Sequence, residues 1–386
     1  MIGAQARVSN RIGTDCRRKT VFSSYYKNRR VLVTGHSGFK GSWLALWLKR
    51  LGAEVSGLAL PPPTHPNLHE ITSAEALAHE TVCDVRQRDK VAAAVSVLRP
   101  EIVFHLAAQP LVRQSYTDPL ETLDTNVMGT ANVLEGIRQA KLDCTTVCIT
   151  SDKCYENREW DFAYREIDPM GGHDVYSMSK GAMELTVSSW NRSFFLPDPQ
   201  MGHLVTVRAG NVIGGGDYAA DRIIPDIVRA LIAHQPVLVR NPRAVRPWQH
   251  VLECLSGYLW LGARLADEAK GSPLATPFNF GPEPAARQTV GRLIEEVLKY
   301  WPGEWVDGSQ PGSVHEAKLL TLSIEKAGAM LNWTPTWTFS QTIEHTVAWY
   351  RERHVAQSTD MLRFTSQQLD QYLASARANG AQWVNA

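Results

Sequence analysis

The apolar run Arg30-Val31-Leu32-Val33-Thr34 ends in a glycine, and a second pattern starts at once. Gly35-His36-Ser37-Gly38-Phe39-Lys40-Gly41 carries glycine at every third position, and Trp43, Leu44, Trp47, Leu48 and Leu51 then recur at helical spacing. A buried strand turning sharply into a helix is the first half of a right-handed strand–helix–strand unit. Such a unit commits the chain to a parallel sheet covered by helices on both faces. The rhythm continues. Strands are predicted over 53–60, stopped by Pro61-Pro62-Pro63, and over 80–85, 101–106, 145–150 and 203–208; helices are predicted over 89–98, 119–140 and around residue 176.

These elements predict an α/β fold, a Rossmann-type doubly wound parallel sheet over 28–210. After Gly210 the rhythm changes, with a Gly214-Gly215-Gly216-Asp217 loop and frequent proline and tryptophan. Phe278-Asn279-Phe280-Gly281 reads as a return to the sheet near 278–283, before helices over 290–301 and 341–353. Residues 211–386 are therefore expected to form a smaller, mostly helical substrate-binding lobe, partly discontinuous.

The first 27 residues stand apart. Arg7, Arg11, Arg17, Arg18, Lys19 and Lys27 face one acid, Asp15, with no apolar periodicity and no apolar core of a secretory signal. They read as a disordered basic extension or an upstream start, with an organelle transit peptide as the alternative. Elsewhere a net charge of +1 gives no global pull toward nucleic acid or a membrane surface, and no apolar run is long enough to span a bilayer. Cys16, Cys83, Cys144, Cys148, Cys154 and Cys254 include no Cys-x-x-Cys pair. A reduced cytoplasmic setting fits them better than a disulfide framework, and no metal site is expected.

A Gly-x-x-Gly-x-x-Gly loop between strand and helix lets a pyrophosphate approach the backbone, with free N–H groups at the helix start to receive it. Gly35, Ser37, Gly38, Phe39, Lys40 and Gly41 are thus expected to hold a dinucleotide. The second strand, near Leu58 to Leu60, has no acid for the adenine ribose and no arginine for a 2′-phosphate. Asp84 and Val85 are placed to meet the adenine, with a solvated turn aspartate as the alternative. Leu106, Ala107, Ala108 and Gln109 end the fourth strand with small residues that let a cofactor lie close; tight packing alone also explains the alanines. His105 reads as a packed histidine.

Tyr176 and Lys180 are four apart and share a helix face. A lysine ammonium there favours the phenolate, which suits the tyrosine to acid–base work beside a nicotinamide. Ser151-Asp152-Lys153 ends the fifth strand, where open α/β sheets bind their ligands. Ser151 is placed to hold the hydroxyl that Tyr176 deprotonates, Asp152 to act as general acid and Lys153 to transfer a proton; a capping role is the alternative for the first two. NAD is the cofactor this chemistry favours.

These residues resemble the extended short-chain dehydrogenase/reductase superfamily and, within it, the sugar-nucleotide 4,6-dehydratases. The strings Gly35 to Leu44, Ala107 to Arg113, Ile149 to Tyr155, Arg208 to Asp217 and Arg246 to Val251 are similar to the branch that acts on CDP-glucose. The resemblance runs from about Arg29 to the C-terminal region. It implies a lyase that oxidises C4 of the glucose, eliminates water across C5 and C6 and returns the hydride to C6, leaving CDP-4-keto-6-deoxy-D-glucose. It also implies a homodimer joined through long helices and a place in dideoxysugar and lipopolysaccharide O-antigen synthesis. The dTDP-glucose relatives carry Asp-Glu where this chain has Asp152-Lys153, so Lys153 falls to the elimination step with its protonation state open.

For the substrate, Arg113, Asn211, Arg222, Arg240 and Arg246 are the candidates, since arginine forks suit a diphosphate; Arg208 reads as structural. Nothing in the composition reads cytidine. A sugar-nucleotide 4-epimerase would share the glycine loop and the Tyr176/Lys180 pair but has no use for Asp152-Lys153. A catalytically silent NAD-binding regulator would have no need of the Tyr176/Lys180 pair.

Overall fold

The computed structural model describes residues 22–73, 76–309 and 319–385. Seven parallel strands form the central sheet. In chain order its elements are β1 (Arg30–Thr34), α1 (Phe39–Arg50), β2 (Glu54–Ala59), β3 (His79–Val82), α2 (Arg88–Leu98), β4 (Ile102–His105), α3 (Gly129–Gln139), β5 (Thr145–Ile149), α4 (Val175–Trp190) and β6 (Leu204–Ala209). They are followed by α5 (Ile223–Ile232), α6 (Val251–Leu265), β7 (Phe278–Phe280), α7 (Val290–Tyr300), α8 (Phe339–His354) and α9 (Met361–Ala378). The strand order is β7-β6-β5-β4-β1-β2-β3, with Val31 of β1 paired to Val55 on one side and Ile102 on the other.

Alternation along the strands sorts the core into two layers. Val31 and Val33 of β1 and Ile102 and Phe104 of β4 pack with Trp43 and Trp47 of α1 and with the almost wholly buried α6. Leu32 and Val103 point the other way, onto Val91 and Val95 of α2, Val133 and Leu134 of α3, and Met183 and Val187 of α4. The predicted 119–140 helix is three joined pieces: Pro119–Leu123, a wider turn over Asp124–Met128, and α3.

The predicted extension needs one correction. Residues 1–21 lie outside the described residues, but 22–27 are part of the folded body. Phe22 is buried and meets the rings of Trp47, Trp260 and Trp383 edge-on, and the buried Tyr26 hydroxyl donates to the Leu259 carbonyl at 2.6 Å. The lone acid and many bases of that segment hide two aromatics whose partners lie more than twenty positions away.

The later part of the chain adds short strand pairs beside the sheet. Val237–Val239 pairs with Trp305–Asp307, and Val245–Pro247 with Arg287–Thr289. Together with α5 and α7 they wall one side of a cleft above the C-terminal ends of β1, β4, β5 and β6.

Candidate active site

That cleft holds a cavity of about 750 Å³. Its floor is built from strand ends, as expected for an open α/β sheet. The loop after β1 starts at Gly35, whose φ of 73° lies in the region that side chains avoid; a Cβ there would also come within 2.7 Å of the Ala107 nitrogen. Glycine therefore lets the β1 and β4 loops touch. Gly38 caps α1 with extended backbone, and among the described residues no side chain takes the first N–H groups of that helix. An uncapped helix start facing a cavity, with Ser37, Phe39, Lys40 and Gly41 along its wall, fits a dinucleotide pyrophosphate.

Leu106, Ala107 and Ala108 line the same cavity, and so does Gln109. Its amide braces the loop, donating to the Leu111 carbonyl and Thr122 while accepting from the Leu111 N–H. Asp84 and Val85 are also in the wall. The Asp84 carboxylate is already engaged by the Arg86 fork at 2.6–3.1 Å, which holds its pKa below the ordinary carboxylate range. An adenine amine would have to share it. His105 is a packed histidine: Thr34 and Thr130 flank its two nitrogens, and burial holds it neutral with a pKa near 3.

The catalytic candidates meet at one point. Asp174 caps α4 by accepting from the Ser177 N–H and hydroxyl, which sets Tyr176 and Lys180 on the cavity face. After β5, Asp152–Cys154 forms a single tight turn capped by Ser151. The Ser151 hydroxyl donates to Asp152 Oδ1 at 2.9 Å and hydrogen-bonds toward Tyr176. Ser151, Asp152, Tyr176 and Lys180 are buried, and Lys153 is half-buried on the cavity wall. The platform beneath them is an ion pair: Arg208 meets both Glu184 oxygens at 2.8 Å, Glu184 also accepts from Thr150 and Thr206, and Arg208 donates to the Tyr155 hydroxyl. Arg208 is thus structural.

The electrostatics correct one expectation. Burial pushes the Tyr176 phenol up to about 12, with the Ser151 hydrogen bond pulling it down, and Lys180 is not among the causes that move it. Its Nζ lies 5.9 Å from the Tyr176 ring centroid. Lys180 is itself lowered to about 8, by burial first and by the neighbouring Lys40 charge second. Desolvation is the largest influence on the tyrosine, ahead of the Ser151 hydrogen bond. Tyr176 therefore starts as a protonated phenol.

Arg113, Asn211, Arg222, Arg240 and Arg246 all line the cavity. Three of them bring counter-ions that the sequence reading missed. Arg222 pairs with Asp217 at 3.1 Å, while Arg113 and Arg240 converge on Asp221 at 3.4 and 3.0 Å. Asn126, also missed, ties the Gln109 backbone to Ser179 inside α4. No spacing in the sequence links those partners, which are up to 108 positions apart in the case of Arg113 and Asp221.

Fold and site together define a Rossmann-type α/β protein with a cavity suited to a dinucleotide, and the comparisons with known proteins narrow it. A model of the NAD dependent epimerase/dehydratase family matches residues 31–275, and the chain belongs to that family. It is 45% identical over 358 residues to the CDP-glucose 4,6-dehydratase of Salmonella typhimurium, covering 91% of this chain and 98% of that protein. Among solved structures, epimerase Mth375 of Methanothermobacter thermautotrophicus superposes with a TM-score of 0.73 at 24% identity, covering 86% of this chain and 94% of that one. The UDP-glucose 4-epimerase of Thermus thermophilus, in complex with NAD, gives 0.69 at 22% identity, covering 83% and 98%. These two likenesses concern the fold.

Proposed function

We propose that this chain is a hydro-lyase that converts CDP-D-glucose to CDP-4-keto-6-deoxy-D-glucose and water. The observation that carries the reading is the turn Ser151-Asp152-Lys153, which lines one cavity together with Tyr176 and the arginines. An enzyme that only inverts C4 needs Tyr176 and Ser151; a second acid–base pair serves chemistry at C5 and C6.

The Gly35–Gly41 loop and the Ala107-Ala108 floor would hold NAD, which when bound would supply the hydride-transfer chemistry. The chain's own groups handle the protons. Ser151 orients the 4-hydroxyl, and Tyr176 takes its proton as the C4–H bond breaks; the positive charge of Lys180 supports the phenolate that this requires once the site is filled. The new ketone acidifies the C5 proton. Lys153 serves the loss of that proton, Asp152 gives a proton to the departing 6-hydroxyl, and water leaves with formation of the C5=C6 bond. Proton return to C5, and passage of the proton held by Tyr176 to Asp152 by way of the Ser151 hydroxyl between them, complete the cycle, and one water is the only net loss. Arg113, Arg222, Arg240 and Arg246 receive the diphosphate, with Asn211 on the sugar side.

We also infer a cytoplasmic homodimer. Cys83, Cys144, Cys148, Cys154 and Cys254 are free thiols, as a reducing compartment requires. Met178 and Leu185, seven apart on α4, stand exposed beside Leu120 and Met128, an apolar strip suited to a second copy. No helix among the described residues is long and apolar enough to cross a membrane. Light scattering checks the dimer, and a monomeric mass would overturn it. The place of the product in dideoxysugar and O-antigen synthesis follows the same reading.

Incubation with CDP-glucose deuterated at C4, read by mass spectrometry, tests the activity. The expected product is lighter by one water and carries deuterium at C6. An isomerised sugar of unchanged mass would replace this reading with an epimerase.

A further inference from the structure

One cluster of metal-ligating side chains plays no part in that chemistry. His36 lies in the glycine loop, His69 in the turn His69–Ser73, and Glu80 in β3. Both histidines are buried, and the Glu80 side chain is 44% exposed, so the trio opens to solvent on one side. Nε2 of His36 reaches Glu80 Oε1 at 2.8 Å and Nε2 of His69 reaches the same oxygen at 3.1 Å. The two imidazoles meet edge to face with centroids 5.2 Å apart, and one ligand atom from each of the three residues lies within 4.8 Å of the others.

The placement of His36 is built into the sheet. Its ring occupies the space where a Cβ on Gly57 would stand; that atom would fall 2.6 Å from the ring's Cγ and Nδ1. A glycine in the middle of β2, which costs strand stability, is what admits the imidazole. The ring is thereby fixed with Nε2 turned toward Glu80.

We propose that His36, His69 and Glu80 form a binding site for one divalent ion of the zinc class, with an open position toward solvent. Two imidazole nitrogens and one carboxylate oxygen suit Zn²⁺, Co²⁺ or Ni²⁺, whereas Mg²⁺ and Ca²⁺ call for oxygen ligands throughout. Metal bonds of about 2.0 Å in tetrahedral array put ligand atoms about 3.3 Å apart. The present nitrogen–oxygen separations are a few tenths of an ångström shorter, and rotation of the half-exposed Glu80 opens them. Without an ion the same trio is a hydrogen-bonded brace. With one, it pins the glycine loop to β3 and to the 69–73 turn.

The test uses untagged full-length protein stripped with a chelator. Co²⁺ is added and its visible d–d bands are followed, then Zn²⁺ is titrated against a chromophoric chelator. Wild type is expected to take up one ion per chain, with Zn²⁺ displacing Co²⁺, and His69→Gln and Glu80→Gln are each expected to bind Zn²⁺ at least about tenfold more weakly. Circular dichroism checks that both variants fold; Glu80→Gln, changed at a half-exposed position, carries the test alone if His69→Gln does not. Absence of uptake by wild type at about 100 μM metal would overturn the proposal, because sites of this kind bind far more tightly. Equal affinity in all three proteins would also overturn it, by placing the ion elsewhere.

Discussion

Replacing Lys180 with methionine should abolish turnover and, at the same time, make the cofactor-free protein more stable. The Lys180 ammonium is buried, and its pKa falls from 10.5 to about 8, mainly through desolvation and secondly through the Lys40 charge. That lowering corresponds to about 3 kcal/mol held against the folded state wherever the lysine is charged. The sign follows from proton counts. Between pH 8 and 10.5 the unfolded chain keeps the Lys180 proton while the folded chain has released it, so stability from this group rises with pH across that window. Below pH 8 the full burden is present. Methionine has nearly the same length and no charge, so Lys180→Met removes the burden with little change in packing. With an unfolding entropy of about 2 cal/mol/K per residue, 386 residues give about 0.8 kcal/mol/K, and the expected gain in Tm at pH 7 is about 4 °C. Differential scanning calorimetry of both proteins without NAD, from pH 7 to 10.5, measures it. A variant less stable than wild type at pH 7, or a gain that does not shrink as the pH rises from 8 to 10.5, would refute the reasoning.

Four shorter expectations accompany it. Tyr176→Phe should keep NAD bound, by fluorescence titration, and slow turnover about 10²–10⁴-fold, the range for loss of a general acid–base group; near-normal turnover would remove Tyr176 from the proton path. Asp152→Asn should still oxidise C4 while water loss slows, seen by rapid quench as accumulation of a 4-keto sugar that keeps its 6-hydroxyl, about two mass units below CDP-glucose. Arg208→Met leaves Glu184 buried without its cation and should cost about 3–5 kcal/mol in urea unfolding, with Arg208→Met/Glu184→Leu recovering most of it. Compared with a chain that starts at Phe22, one that starts at Asn28 lacks the buried Phe22 and Tyr26 and should be less stable by about 3–6 kcal/mol; equal Tm values for the two truncations would contradict their packing.

What the sequence determined by itself was everything written in short spacing. Apolar runs of five or six residues between helical repeats mark the strands of a parallel sheet, because a strand buried on both faces has no choice but to be apolar. The glycine loop, the four-residue step from Tyr176 to Lys180 and the Ser151-Asp152-Lys153 strand end are local for the same reason: each depends on backbone geometry within a few residues. What only the tertiary structure decided is set by partners far apart in the chain. Phe22 and Tyr26 sit in a segment whose charge conceals them, and their burial depends on Trp260, Leu259 and Trp383. Asp221 neutralises Arg113 and Arg240 across the cleft. His36, which stands between Gly35 and Gly38, gains its neighbours from the 69–73 turn and from β3. Above all, the spacing of Tyr176 and Lys180 says that they share a face, but not that burial pushes the tyrosine's pKa up and the lysine's down. Desolvation is a property of the surrounding volume, and a linear sequence does not carry it until the chain has closed around the site.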